Sequence, residues 1–372
     1  LPRVLLSGYY GFGNIGDEAI LAATVSSLRS RRPDLGISVL TQSPEETSKD
    51  YGVDAFYRMS VPLVLKAFRQ ADLVVFGGGS LLQDSTSFRS LAYYLSILFL
   101  AKVTGKPVIV YANGVGPLRS SFGRYLTRIL LGTVAYITVR DEESLGLLRE
   151  IGVKKEVKVT ADPAFLLTPA PQPRVLEILT SSGIDPTRPL AWLALRPRRT
   201  LGDFYGSLAR AVSDLRREGL LPCLLVMQAR DLPVVEALNR ALADIGEERV
   251  PHTAGLTPEE ALGVLEKGEF CFGMRLHTLI LAARAGVPSI GVEIDPKIGA
   301  FCRSLEFPVL PDPAHVADPG VEQAIKDFVS DRNSRARDLQ ARLPRLISLA
   351  QENVDLILQA LTRCDNHREP RQ

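Results

Sequence analysis

The chain has 372 residues, 46% of them hydrophobic, which is enough to bury two cores at roughly 100–200 residues per domain. Lys and Arg number 44 against 42 Asp and Glu, so the formal charge of +2 excludes the broad basic excess of a nucleic-acid binder, and any anionic ligand must meet a local cluster of cations. Cys223, Cys271, Cys302 and Cys364 are scattered with no Cys-x-x-Cys pair, which argues against a disulfide scaffold or a zinc site and fits a reducing cytoplasmic compartment.

In chain order, short β-branched runs alternate with segments of helical apolar spacing, the βαβ signature of parallel sheets. Strands are expected at Arg3–Ser7, Ile37–Thr41, Leu73–Phe76, Val108–Tyr111, Tyr136–Val139 and Val157–Thr160, with helices between them. The opening Val4-Leu5-Leu6 runs into a glycine loop and is too short for a signal peptide. The apolar helix Leu91–Ala101 falls short of the roughly 20 residues that span a bilayer and reads as a buried crossover helix. Thr168-Pro169-Ala170-Pro171-Gln172-Pro173 interrupts the rhythm as a linker, because proline lacks a ladder donor. Strands then resume at Leu190–Leu195, Cys223–Met227, Phe270–Phe272 and Ser289–Val292. From about Asp331 the chain reads as a charged helix with a kink at Pro344, ending in a frayed polar tail from Cys364 that holds His367. The expected fold class is α/β, with two doubly wound, Rossmann-like domains (1–168 and 169–330) facing a cleft and a C-terminal helical segment and tail, 331–372.

Ligands of open parallel sheets bind outside the carboxyl ends of the strands, so the residues there are the candidates. The first strand runs into Gly11-Phe12-Gly13-Asn14-Ile15-Gly16-Asp17-Glu18. Gly11-x-Gly13-x-x-Gly16 matches the dinucleotide fingerprint, yet Thr41-Gln42 stand where a ribose-binding acid should end the second strand, and Asp17 and Glu18 would repel a pyrophosphate. The stretch is therefore read either as a glycine turn with acidic helix capping or as Asp17 facing a substrate hydroxyl. Gly77-Gly78-Gly79-Ser80 can cradle an anion or make a tight turn, and it lacks the Gly-Lys-Ser/Thr ending of a P-loop. Asn113-Gly114-Val115-Gly116-Pro117 and Arg140-Asp141 end two further strands.

In the second half, Arg275 and His277 leave a buried strand, and the next strand delivers Lys297 after Glu293-Ile294-Asp295-Pro296. A single histidine there would read as structural; three cations on neighbouring strand ends point to a small anionic ligand. Glu293-x-Asp295 has no further carboxylate or histidine at ligand spacing, so no metal site is expected. Residues 119–128 mix basic and apolar side chains, as either an interfacial helix or a helix packed on the sheet would.

Taken together, Gly11–Glu18 with Ala19-Ile20, Gly77–Ser80, Gly114–Pro117, Arg140-Asp141 with Ser144, Asp162-Pro163-Ala164, Arg275-Leu276-His277 and Asp295-Pro296-Lys297 resemble the polysaccharide pyruvyl transferase family, most closely its CsaB-like members, over residues 4 to 305. The resemblance implies a GT-B-like fold, an acceptor-side first domain and a donor-side second, with phosphoenolpyruvate as donor, no cofactor and no metal. It implies that Arg140, His277 and Lys297 meet the donor, joined here by Arg275. It also implies a hexose acceptor, N-acetylmannosamine on a lipid-linked cell-wall precursor at the cytoplasmic membrane face. On this reading His277 is phosphate ligand and acid, Asp17 is the base for the acceptor hydroxyl with Glu18 in reserve, and Asn14, Gly16, Gly78, Gly79, Ser80 and Gly116 form the acceptor or phosphate loops. The competing readings are a nucleotide-sugar glycosyltransferase of the same architecture, with Glu293 on a ribose, and a non-enzymatic carbohydrate-binding protein.

Overall fold

Strands and helices alternate along the chain in the computed structural model, which describes residues 1–85, 87–200 and 202–366. His367 and the rest of the expected frayed tail lie outside the described residues. The first run of elements is β1 (Arg3–Ser7), α1 (Ile15–Arg31), β2 (Gly36–Thr41), α2 (Pro44–Tyr51), β3 (Asp54–Tyr57), α3 (Val61–Gln70), β4 (Leu73–Gly77), α4 (Phe88–Val103), β5 (Val108–Asn113), α5 (Ser121–Leu131), β6 (Tyr136–Val139), α6 (Glu142–Glu150) and β7 (Lys158–Val159). The second is α7 (Gln172–Ser181), β8 (Leu190–Ala194), α8 (Phe204–Arg217), β9 (Leu221–Leu225), α9 (Leu232–Asp244), β10 (His252–Thr253), α10 (Pro258–Leu265), β11 (Gly268–Gly273), α11 (Leu276–Arg284), β12 (Ser289–Glu293), α12 (Pro296–Ser304), β13 (Val309–Pro311) and α13 (Val321–Asn366).

The strands form two all-parallel sheets, ordered β3-β2-β1-β4-β5-β6-β7 and β10-β9-β8-β11-β12-β13. Both follow the doubly wound order, in which the chain starts in the middle, winds to one edge and returns to wind the other way. Helices cover both faces of such a sheet, so its central strands are apolar along their whole length. Every residue of β4, β5 and β8 is buried. One core gathers Phe68, Phe76, Leu91 and Tyr94, the other Leu193, Phe204, Phe270, Phe272 and Phe328.

Two compact units result. The first comprises residues 1–13 and 17–166 with the end of α13 from Arg345; the second comprises Asn14–Gly16 and Leu167–Pro344. Three strands were not anticipated: β3, β10 and β13. They are edge or near-edge strands, short and partly exposed, and so lack the continuous apolar run that marks the others. The final helix begins at Val321, ten residues before the expected start, and carries Pro344 inside it.

The end of α13 is fixed in the first unit by Asn353. Its fully buried carboxamide oxygen accepts from the hydroxyls of Thr138 (2.7 Å) and Thr160 (2.9 Å), and its nitrogen donates to the Ala161 carbonyl at 3.1 Å. Removing one partner of a buried network leaves the others desolvated and unpaired, which costs about 1–3 kcal/mol for each such group. Asn353→Ala should therefore lower the stability of the first unit by about 2–4 kcal/mol, read as a fall in the urea midpoint.

Candidate active site

In doubly wound sheets, loops converge where the strand order reverses. That point lies between β1 and β4 in the first unit and between β8 and β11 in the second.

In the first unit, Tyr10 ties the two central loops together, its buried hydroxyl donating to the Gly77 carbonyl at 2.8 Å. The glycine-rich turn after β1 is closed by Glu18, whose carboxylate accepts the Gly11 N–H at 2.8 Å. Burial pushes the Glu18 pKa up to about 7, although the Gly11 N–H holds it down and Asp17 pushes it further up. Asp17, 9% exposed, stands one residue earlier on α1. A Cβ on Gly79 would come within 2.9 Å of Asp17 Oδ1, so the two glycine loops and this carboxylate are brought together. Gly78 is required by packing as well as by its φ of +74°, because a Cβ there would fall 2.2 Å from Ile20 Cγ2.

Arg140, its side chain 4% exposed, donates through Nη1 to Asp162 (2.7 Å) and through Nη2 to Ser80 Oγ (2.9 Å). It braces the end of β6 against the loop after β4. Asp141 caps α6 by accepting the Ser144 N–H at 2.7 Å, and Gly116 lies in the loop after β5, packed against Leu147. At the end of β5, fully buried Asn113 has neither amide atom paired among the described residues, so this strand end holds polar capacity that they do not consume. Above β1, the rings of Tyr9 and Phe12 stack with centroids 4.0 Å apart and remain more than one third exposed. The Arg58 guanidinium supports this loop, lying over the rings of Phe12, Tyr93 and Tyr94.

In the second unit, β11 ends in Arg275-Leu276-His277. Arg275 stands at the N-cap position of α11, and its guanidinium is gripped by the carboxylate of Asp231 on two oxygens, with Nε at 2.7 Å. Asp231 is 1% exposed, at the end of a 3-10 turn, Ala229–Asp231, that follows β9. Asn14–Gly16 belong to this unit by their contacts: the Ile15 N–H donates to the Met227 carbonyl at 3.2 Å, and a Cβ on Gly16 would fall 2.3 Å from His277 Nδ1. Gly16 and His277 are thus in close approach, which no larger residue at 16 would permit. Lys297 opens the first turn of α12 after β12, with Asp295 capping that helix by accepting the Lys297 N–H at 3.1 Å. Glu293 is engaged with Arg303 at 3.6 Å. Among the described residues, no three His, Cys, Asp or Glu side chains gather as a metal set.

The residue that pattern reading missed is Arg196, just beyond β8. It is half-buried, and its pKa is pulled below the usual arginine value first by burial, then by the positive charges of Arg275 and Arg230. Arg196 thus feels two further guanidinium groups, one of them the Arg275 that Asp231 already holds, and Asp231 offsets their charge only in part. Arg198 does not add to the excess, because Asp312 takes it at 3.0 Å.

This arrangement can be set beside known proteins. The family described as polysaccharide pyruvyl transferase matches residues 14–296. The chain belongs to that family. Among curated relatives, the amylovoran biosynthesis protein AmsJ of Erwinia amylovora is 23% identical over 367 residues, covering 82% of this chain and 86% of that protein. Solved structures share the GT-B-like fold. HepE of Anabaena with UDP-glucose superposes with TM-score 0.65 at 12% identity, over 96% of this chain and 99% of that one. MnaA of S. aureus with UDP gives 0.65 at 14%, over 95% and 94%.

Strand order was the signal that would have exposed Arg196: β8 and β11 are 78 residues apart in sequence, Leu190 pairing with Gly268, but adjacent in the sheet. Glu18 gives a pH signature. Its folded pKa lies above the ordinary 4.5, so between about 4.5 and 7 the folded protein holds a proton that the unfolded chain releases. Stability from this group is fully present below about pH 4.5 and falls as pH rises to about 7, by up to about 2–3 kcal/mol. Glu18→Gln should remove that slope: relative to the parent, its melting temperature is higher at pH 8 than at pH 5.

Proposed function

We propose that this pyruvyl transferase takes the pyruvyl group from phosphoenolpyruvate and joins it, as a cyclic ketal, to two hydroxyls of a hexose in a lipid-linked polysaccharide precursor, releasing inorganic phosphate. N-acetylmannosamine is the proposed hexose, and the cytoplasmic membrane face the proposed location. The observation that supports the donor assignment is that Arg196, just beyond β8, has its pKa lowered first by burial and then by the charges of Arg275 and Arg230, beside the Arg275–Asp231 pair at the β8/β11 reversal point. Such an excess of guanidinium is stabilised by a compact anion, and phosphoenolpyruvate presents a phosphate and a carboxylate on a three-carbon frame. His277 and Lys297, on the helices that follow β11 and β12, complete the second-unit set, and the family resemblance adds Arg140.

In this mechanism His277 delivers a proton to the methylene carbon, making it a methyl group, and the adjacent carbon becomes oxocarbenium-like. Asp17 takes the proton of the first sugar hydroxyl as its oxygen bonds to that carbon. The C–O bond to phosphate then breaks, phosphate leaving with the bonding electrons and taking the proton held by Asp17, and the second hydroxyl bonds to the same carbon as its proton returns to His277. No water is consumed. Arg275 acts mainly through position, since its Asp231 pair fixes the start of α11 and with it His277.

Phosphate release from phosphoenolpyruvate plus a β-N-acetylmannosaminyl lipid analogue tests the reading. His277→Ala should reduce kcat by about 10²–10⁴-fold, and Arg196→Ala should raise KM for phosphoenolpyruvate by about tenfold or more. Wild-type rates in both His277→Ala and Asp17→Ala would sink the proposal. So would a thermal shift with uridine or guanosine diphosphate sugars and none with phosphoenolpyruvate, since a ligand that binds the folded state raises its stability.

The stacked, exposed Tyr9 and Phe12 pair offers a flat apolar face, of the kind on which sugar C–H groups pack. Phe12→Ala should raise KM for the acceptor by about five- to tenfold while leaving KM for phosphoenolpyruvate within about twofold.

A further inference from the structure

Helices α4 and α5 follow neighbouring strands of the first sheet and pack against each other; Gly123 brings α5 so close that a Cβ there would lie 2.9 Å from Leu91 Cδ2 of α4. Their inner faces are buried, through Leu91, Tyr94, Leu95 and Leu98 on α4 and Thr127, Leu130 and Leu131 on α5. Their outer faces mix exposed polar residues, Arg89, Ser96 and Ser121 among them, with large apolar ones that a solvated face would lack. Phe88, Phe99 and Val103 on α4, and Phe122, Tyr125 and Ile129 on α5, are each more than 40% exposed. The spacing 122, 125, 129 puts the α5 residues on one side of that helix, and the Phe88 and Phe122 rings lie 6.4 Å apart, joining the two stripes.

Cations border this apolar stripe. The Arg128 guanidinium sits over the Tyr125 ring, 5.5 Å from its centroid. Next to it is an open recess of about 590 Å³ lined by Arg128, Ile129, Gly132, Gly152, Lys154 and Lys155: three cations and no carboxylate. Lys102 and Arg119 are exposed at the ends of the same two helices.

We propose that the outer face of α4 and α5, together with the Arg128–Lys154–Lys155 recess, docks the protein on an anionic lipid bilayer. The rings and aliphatic side chains enter the headgroup boundary, and the recess takes the phosphate groups of acidic phospholipids. Exposed apolar area of this extent in a rim of cations marks an interaction site rather than a solvated surface. Charge decides the occupant. A second copy using a two-fold axis would set the same cationic recess against itself, whereas an acidic bilayer complements it. The inference stands without the donor assignment, because none of these residues belongs to the phosphoenolpyruvate set.

The test is flotation of the full chain with vesicles of pure phosphatidylcholine and of mixed phosphatidylcholine and phosphatidylglycerol. The parent protein should float with the mixed vesicles alone, less so at high salt, and millimolar inorganic phosphate should not displace it. Phe122→Ser/Tyr125→Ser/Ile129→Ser and Arg128→Glu/Lys154→Glu/Lys155→Glu should each reduce the bound fraction about tenfold, with unchanged circular dichroism and unchanged phosphate release on a soluble short-chain acceptor. The proposal is overturned if the parent binds neither vesicle, if both variants float as the parent does, or if sedimentation shows a dimer that the serine variant dissociates while vesicles remain unbound.

Discussion

The second unit depends on one buried ion pair, Asp231 with Arg275. Asp231 follows β9 and Arg275 follows β11, and β8 lies between those strands in the sheet, so the pair bridges loops from both sides of the central strand. A carboxylate this buried is tolerable when a cation meets it with good geometry, and the bidentate fork of arginine supplies that. Its effect is positional. With Arg275 fixed at the N-cap, α11 starts at a defined point and His277 sits one residue inside it. Arg196 lies near enough for the charges of Arg275 and Arg230 to lower its pKa, more than Asp231 raises it.

The first unit is organised by glycine and by burial of acids. Gly78 and Gly79 allow the loop after β4 to lie against Ile20 and Asp17 of α1, and Tyr10 holds that loop to the turn after β1. Glu18 closes the turn through the Gly11 N–H while burial raises its pKa to about 7. Its position in the sequence suggested a spare base; its geometry makes it first a clamp on the glycine-rich turn, with Asp17 beside it facing the second glycine loop. Arg140 shows a similar shift in emphasis. Paired with Asp162 and bonded to Ser80, it braces two strand ends, and any contact with a donor would have to be made by a group already committed to that brace.

Much of the fold was legible because parallel sheets impose a strong pattern. Strands buried on both faces read as short apolar runs, and β1, β4, β5, β6, β8 and β12 fall within two residues of expectation at each end. Edge strands are half-exposed, so β3, β10 and β13 left no comparable run. For the site, strand ends that carry a motif (Gly11 to Glu18, Gly77 to Ser80, Arg275 to His277) were visible, because glycines and cations beside apolar runs are conspicuous. Arg196 was not, since an arginine in an Arg-Pro-Arg-Arg stretch looks like an ordinary solvated loop until its neighbours in space are known.

Sequence alone determined the alternation of elements, the two-sheet α/β class and the family resemblance, and it pointed to Arg275, His277 and Lys297 as candidates at strand ends. These rest on local properties: the period of apolar residues, the position of glycines and the identity of side chains at strand ends. Tertiary structure decided which of those ends are neighbours, that Asp231 claims Arg275, that Arg196 feels the charges of Arg275 and Arg230, and that Asn353 returns the last helix to the first unit. Strand order and pairing of charges are set by contacts between residues 20 to more than 200 positions apart, and those separations carry no periodic signal in the chain.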